Sequence, residues 1–257
     1  VGSEMCIRDR SLGNPSLIPQ FTNSYEVNYT RRLKNGSITT GVFYRTIKDE
    51  ISRAVYVDRL DLNKLILTHD NFDNTAAYGL EISGNYKPIK WWNINGSFDL
   101  YSQTQRGITE SLLTDNSSAT IDDIVVEEVE VENTAWNFRM NNSFSVNKKL
   151  SLQLFGFYRG ENQSLQFKVK PMYFVNTGAR YSFAQGKGTI SLNFNDVFNT
   201  MRFAFDGQRP FVQNGRFNWE SQSVYAGLSY QFGSGKNRAS KRKRRDNNTK
   251  KGGGGIL

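Results

Sequence analysis

The sequence predicts an all-β fold: the wall of a transmembrane antiparallel β-barrel with about nine long strands. Three observations support this prediction: strict alternation of apolar and polar residues, segments long enough to cross a bilayer, and 13% aromatic residues. Period-two alternation is typical of strands with one apolar and one polar face. A tilted membrane-spanning strand needs about 9–11 residues, whereas strands of soluble proteins have about 5–6. Aromatic residues form girdles at both membrane interfaces of such barrels.

The alternation is clearest in the middle of the chain. Even-numbered residues of Tyr78–Tyr86 and Trp92–Leu100 are apolar or glycine, whereas most odd-numbered ones are polar, among them Glu81, Asn93 and Asp99. We expect the even set to face lipid and the odd set to face a water-filled lumen. The same alternation recurs at residues 136–147 and 190–195.

Connectors of two lengths separate the nine predicted strands. Short periplasmic turns and longer extracellular loops are typical of outer-membrane barrels, and the short connectors here contain the Asn-Gly or Gly residues of tight hairpins. The strands are predicted near residues 24–33, 37–48, 76–88, 90–104, 124–147, 149–163, 169–185, 188–205 and 217–232. The predicted long loops are residues 49–75, 106–123, 161–168 and 206–216.

Composition excludes several other classes of protein. The chain of 257 residues has a mean hydropathy of −0.58 and no run of 18 apolar residues, so no transmembrane helix is predicted. Nine Lys or Arg and one Asp lie in residues 236–251, which leaves 24 basic against 23 acidic residues elsewhere. We predict that residues 233–257 are a disordered basic periplasmic tail. No aromatic residue is interleaved with its charges for base stacking, so no nucleic-acid partner is expected.

Cysteine and histidine are nearly absent. Residues 1–10 (VGSEMCIRDR) look like a translated sequencing adapter and are excluded as a non-native artefact, together with Cys6. The remaining chain has no cysteine for a disulfide or metal site, and His69 is its single histidine. No metal and no cofactor are therefore predicted.

Three motifs resemble the C-terminal half of TonB-dependent receptor barrels. Residues 13–19 (GNPSLIP) followed by 23–26 (NSYE) resemble the GNPxLxPE…SYE segment of that family. Residues 193–199 (NFNDVFN) resemble its penultimate strand, and residues 230–232 (YQF) its terminal strand. The basic, Gly-ended tail resembles the version of this family found in Bacteroidota, which are Gram-negative. The resemblance spans residues 11–232.

The resemblance implies a barrel of about 22 strands in the outer membrane, closed by an N-terminal plug, that takes up a large or scarce nutrient. Nine is odd, whereas single-chain bacterial barrels close with an even number of strands. Residues 11–232 are therefore predicted to be the C-terminal part of the barrel. The implied partners are outer-membrane lipid, the barrel-assembly machinery, the missing N-terminal strands and plug, TonB through that missing part, and an unknown nutrient ligand. Tyr230 and Phe232 are implied to be the assembly signal.

Two loop segments are candidate sites. Residues 206–219 combine charges and aromatic rings, so Asp206, Arg209, Arg216 and Trp219 are a possible ligand-binding loop. Residues 107–133 hold eight Asp or Glu and no Lys or Arg.

Two interpretations of the acidic segment are open. Calcium needs clustered carboxylates, but Asp115–Asp123 lacks the Gly and closing Glu of an EF-hand loop, so a solvated extracellular loop is favoured. Within it we expect Glu128, Glu130 and Glu132 on the polar face of a strand rising above the membrane.

Enzymatic chemistry has little support in the sequence. It contains neither a GxSxG motif nor a phosphate-binding loop. The acidic pair Asp122–Asp123 is adjacent, so its carboxylates face opposite sides of a strand and cannot flank one bond. Two alternatives to a transport receptor remain: a small complete outer-membrane barrel with a structural or enzymatic role, and a soluble all-β binding module. A closed, even set of strands supports the small barrel, and a second sheet covering the apolar faces supports the soluble module.

Overall fold

The computed structural model describes residues 10–62, 64–112 and 119–232, and almost all regular structure in these ranges is β-strand. Two three-residue 3-10 turns, Ile121–Asp123 and Ala184–Gly186, are the exceptions. No helix in these ranges has the length and apolar character to cross a membrane. The strands are β1 (Arg10–Ser11), β2 (Phe21–Leu33), β3 (Gly36–Val57), β4 (Leu65–Ile89), β5 (Trp92–Leu112), β6 (Ile124–Ser145), β7 (Leu150–Arg159), β8 (Asn162–Gln163), β9 (Phe167–Val169), β10 (Met172–Phe183), β11 (Gly188–Asn195), β12 (Phe203–Gly207), β13 (Gln213–Phe217) and β14 (Ser223–Tyr230).

The main sheet is an open antiparallel meander. Nine strands follow the order β2-β3-β4-β5-β6-β7-β10-β11-β14, and the short β1 pairs in parallel with β4. The edge strands β2 and β14 do not pair with each other. The expected all-β antiparallel class and the open sheet are thereby confirmed. The expected short turns are present as well, because two to four residues connect each of β2–β3, β4–β5, β6–β7 and β10–β11.

Strand register separates the two sets of side chains predicted from the alternation. Ile82 lies in one row and Ser83 in the next, so the two rows occupy opposite faces of the sheet. The face of Ile82 is hereafter the outer face and that of Ser83 the lumenal face. The outer row is Ile82, Phe98, Phe138, Tyr158 and Tyr173; the lumenal row is Ser83, Ser97, Arg139, Phe157 and Phe174.

The predicted loop at residues 49–75 is wrong in most of its length, and the one at 106–123 is wrong at residues 106–112, which belong to β5. β3 to β6 have 21–25 residues each, about twice what a membrane crossing needs, and form two tall hairpins that rise above the bilayer. Alternation fails there because neither face borders lipid, although backbone pairing continues. The ion pair between Arg59 and Glu110, 2.5 Å from Nη2 to Oε1, joins the two hairpins.

The strand predicted near residues 188–205 ends much earlier than expected. β11 stops at Asn195 because Asp196 turns the chain with a φ of 44°. The Asp196 side chain is 1% exposed and accepts hydrogen bonds from Ser221 Oγ (2.5 Å), Thr200 N (2.9 Å) and Met201 N (3.0 Å). Burial alone raises the pKa of this carboxyl, but these bonds outweigh it and lower the pKa.

The predicted loops at residues 161–168 and 206–216, with the ends of their flanking strands, form a second sheet. Its four short strands follow the order β13-β12-β9-β8. It is hereafter the extracellular sheet, since it comes from the long connectors opposite the short turns. Residues 203–205 were expected to end the transmembrane strand near 188–205, and residues 217–222 to begin the one near 217–232. Both expectations are wrong, because 203–205 lie in β12 and β14 begins only at Ser223.

The first described residues form a strap along the β3–β4 hairpin. Arg10 and Ser11 pair with Ile66 and Leu67. The Asn71 side chain accepts from Ile18 N and donates to Ile18 O, both at 2.9 Å. The GNPSLIP segment, expected to be loop-like, is therefore held by a defined set of hydrogen bonds. Residues 1–9 of the predicted artefact at 1–10, and the predicted tail at 233–257, lie outside the described residues, whereas Arg10 belongs to β1.

Candidate functional site

The lumenal face carries an open cavity of about 460 Å³, and most of the residues that line it are polar. Side chains of five consecutive strands surround it, so this face of the sheet is concave there. Its lining includes Ser37 and Thr39 of β3, Ser83 and Asn85 of β4, Asn95 and Ser97 of β5, Arg139 and Asn141 of β6, and Phe155 of β7. Small hydroxyl and amide groups of this kind suit a water-filled lumen.

An arginine and three phenylalanines lie together among the polar residues of the lumenal face. Phe157 and Phe174 are register neighbours with ring centroids 5.1 Å apart, and Phe155 lies 5.9 Å from Phe174. The Arg139 guanidinium lies 5.7 Å from the centre of the Phe157 ring. We did not expect aromatic residues on the lumenal face. The signal was present in β7, where Leu152, Leu154 and Tyr158 alternate with Phe155 and Phe157, so that both faces are apolar.

The extracellular sheet docks on the lumenal side of the tall hairpins. Leu165, in the turn between β8 and β9, is 2% exposed and packs with Ala54, Phe72 and Val131. The neighbouring Gln166 is equally buried, and its amide bonds to both backbone groups of Val55: Val55 N donates at 2.8 Å and Val55 O accepts at 2.7 Å. Its side chain therefore pairs with β3 as a further strand would.

A second contact secures the β12–β13 turn. Arg209 donates from Nε to Glu127 at 3.1 Å and from Nη1 to the carbonyl of Leu165 at 3.2 Å. The backbone of Leu112, at the end of β5, donates to Pro210 O at 2.8 Å. The connectors after β7 and β11 are thus fixed to the wall of β3, β5 and β6.

The four residues predicted as a ligand loop do not converge on one site. Asp206 forms an ion pair with Lys170 at 3.0 Å, and Arg209 forms the ion pair with Glu127 described above. Arg216 and Trp219 are exposed. No hydrogen bond or ion pair joins any two of these four residues in the described part of the chain.

In its described residues, the acidic segment is mostly strand, in β5 and β6. Glu130 pairs with Arg106 at 2.9 Å on the outer, not the lumenal, side of β5 and β6. Glu128 and Glu132 are exposed on that same face. Asp115 lies outside the described residues. Within the described ranges, no group of three or more His, Cys, Asp or Glu could hold a metal ion.

Buried polar groups brace the tall hairpins. Glu50 accepts from Thr75 Oγ1 and from Gln105 Nε2, the latter at 3.0 Å. Tyr56 donates to Asp70, and burial together with this hydrogen bond raises the pKa of its phenol. These groups are part of the scaffold, since other side chains of the hairpins already satisfy them.

Comparison with known proteins identifies a family. A family model described as outer membrane protein beta-barrel family matches residues 9–230. No curated protein matches the chain. Among solved structures, one described as the CymD monoaromatic hydrocarbon channel is similar with a TM-score of 0.33 and 9% identity, over 84% of this chain and 69% of that one. A TM-score this low supports no inference about cargo. The family match confirms the predicted location in the outer membrane, in contact with its lipid.

Proposed function

The chain belongs to the outer membrane protein beta-barrel family, and from that premise we propose that it forms the C-terminal part of the wall of a TonB-dependent uptake receptor. The receptor is of the type found in Bacteroidota, with about 22 strands around a plug. Its role is energised transport of a large or scarce nutrient, not catalysis. The motifs at residues 13–19, 193–199 and 230–232 support the proposal, as does the predominantly polar lumenal face.

The observation that carries the proposal is the open sheet. Among the described strands, β2 and β14 each pair with only one neighbour, although both display large apolar side chains on the outer face, such as Val27 and Leu228. In lipid, each unpaired backbone group costs several kcal/mol, so both edges need partners. Further strands of the same barrel provide them most simply. The smaller alternative, a complete barrel with a structural or enzymatic role, requires β2 to pair with β14.

Disulfide cross-linking in the complete protein tests the wall. Single cysteines at lumenal positions of β2, such as Asn28→Cys, are combined with single cysteines along β14, such as Ser229→Cys. We expect no cross-link in any register, because strands of a large barrel separate these positions. The positive control is Thr30→Cys with Thr39→Cys, which face each other across β2 and β3 with their hydroxyl oxygens 2.9 Å apart. A β2–β14 cross-link as efficient as the control supports the small closed barrel instead.

Uptake tests the transport role. A strain lacking the gene is grown on a panel of limiting nutrients, with the complete protein restored in cells that have or lack TonB. We expect one nutrient to support growth only when both proteins are present. Restored growth without TonB contradicts an energised receptor.

We propose that the last strand carries the assembly signal. Tyr230 ends β14, and its ring lies 4.8 Å from that of Phe232, which is 87% exposed. In the complete protein, Phe232→Ala should reduce the amount of folded barrel in the outer membrane, measured by heat-modifiable mobility. Deletion of residues 236–257 should leave that amount nearly unchanged. The reverse result contradicts this assignment of the closing strand.

A further inference from the structure

A strip of arginine and phenylalanine side chains rises along the lumenal face from the membrane-embedded sheet to the extracellular sheet. Its lower part is the cluster of Arg139 with Phe155, Phe157 and Phe174. β7 continues it upwards, because Arg159 projects to the same face as Phe155 and Phe157. The Arg159 guanidinium lies 5.8 Å from the centre of the Phe203 ring on β12. These six residues are hereafter the lumenal strip.

The two arginines of the strip lack carboxylate partners. Arg45, Arg59, Arg106 and Arg209 each lie within 3.3 Å of a glutamate oxygen. By contrast, no ion pair within 4.0 Å joins Arg139 or Arg159 to any residue in the described ranges, including Asp99 on the neighbouring strand. Nε and Nη2 of Arg159 are buried without a hydrogen-bond partner there. These buried, unused guanidinium donors of Arg159 favour binding of an anion. Arg139 is exposed on the same face.

The aromatic half of the strip determines the rest of the ligand. Phenylalanine rings offer flat apolar faces without a polar group, so they favour an apolar or aromatic surface on the ligand. Each arginine is also held against a ring, which fixes the direction of its donors. Arg139 and Phe155 both line the cavity of about 460 Å³, so the lower end of the strip opens to a space that a small molecule can enter.

We propose that the lumenal strip binds small amphipathic anions, with a carboxylate on Arg139 or Arg159 and a flat apolar body against Phe155, Phe157, Phe174 and Phe203. This proposal rests on the uptake role proposed above and names the chemical class of its cargo. A ligand would pass from Phe203 at the extracellular sheet, by way of Arg159, to the rings of Phe157, Phe174 and Phe155 beside the membrane-embedded cavity. Two arginines in succession allow it to move without losing its counter-charge.

The test is the equilibrium binding of 2-naphthoate to the complete protein in lipid nanodiscs, measured by calorimetry. We expect saturable binding, and at least tenfold weaker binding of the neutral analogue 2-naphthamide, because it has no charge for the arginines. The double variant Arg139→Gln with Arg159→Gln should weaken naphthoate binding at least tenfold, because the carboxylate then has neither of its two charge-assisted partners. The variant Phe157→Leu should weaken it severalfold.

Arg180→Gln is the matched control. Arg180 lies on the lumenal face of β10, close to the periplasmic turn, and has no aromatic partner among the described residues. The Arg180→Gln protein should bind naphthoate as the unmodified protein does. Thermal unfolding should show that all variants are folded. Naphthoate binding that is non-saturable, equal to that of the amide, or unchanged in the double variant overturns the proposal. Naphthoate binding would be unchanged in the double variant if another segment of the complete protein covered the lumenal strip.

Binding and transport can fail separately. Equilibrium binding needs no energy from the inner membrane, so arginine-dependent naphthoate binding supports the strip even when the uptake test fails. Conversely, TonB-dependent uptake by a protein that does not bind naphthoate leaves the receptor role standing and overturns the proposed class of ligand.

Discussion

Ile82→Arg is expected to destabilise the membrane-inserted barrel by about 2–4 kcal/mol, the cost of a charge on the lipid face at the bilayer midplane. Ile82 lies on the outer face of β4, four residues from Tyr78 and four from Tyr86. Eight residues measure about 26 Å along a strand, which is about 20 Å along the bilayer normal at a tilt of about 35–45°, within the apolar band of about 25 Å between the aromatic girdles of such barrels. Tyr78 and Tyr86 therefore lie near the two interfaces, and Ile82 lies midway between them.

The measurement is a reversible refolding titration of the complete protein in lipid vesicles. Ser83→Arg is the control, because it adds the same charge one residue away but on the lumenal face, opposite Ser97. It should cost well under 1 kcal/mol, since water in the lumen solvates the guanidinium. Equal losses for the two variants would show that the faces are assigned wrongly.

The membrane-embedded wall could be predicted from sequence because lipid and water impose different chemistry on its two faces. The alternation at Tyr78–Tyr86 and Trp92–Leu100 has this origin, and the register places both segments as predicted. Above the membrane that constraint ends. The top of the β3–β4 hairpin carries Glu50 and Asp58 as buried residues and Leu67 as an exposed one, so its pattern resembles that of a loop.

The candidate sites could not be predicted because they depend on contacts between distant segments. Gln166 and Val55 are 111 positions apart, and Arg209 and Glu127 are 82 apart. Arg209 was predicted to bind a ligand because of its charge, whereas in the structure it contacts Glu127 and the carbonyl of Leu165. The lumenal strip was missed for a different reason. β7 has apolar residues on both faces. Such a pattern predicts a strand of the membrane wall, but it does not show which rings face the lumen.

Gln166→Ala is expected to release the extracellular sheet while the membrane-embedded wall remains folded. The variant removes both partners of the Val55 backbone at a site where Gln166 is 2% exposed. Each buried backbone group left unpaired costs about 1–3 kcal/mol. β2 ends opposite Lys48 and does not reach Val55, so no neighbouring strand can replace the lost contact.

Hydrogen exchange of the complete protein, read by mass spectrometry, distinguishes local release from general loss of structure. Peptides containing Val55 and residues 161–170 should exchange faster in Gln166→Ala, whereas peptides from β10 and β11 should not change. Gln208→Ala is the matched control: this glutamine is exposed, and its bond to Gln166 O comes from its backbone nitrogen, which alanine retains. Unchanged exchange at Val55 would show that the docking of Leu165 against Ala54, Phe72 and Val131 holds the sheet without the amide. Faster exchange throughout the wall would instead make the extracellular sheet part of the stability of the whole barrel.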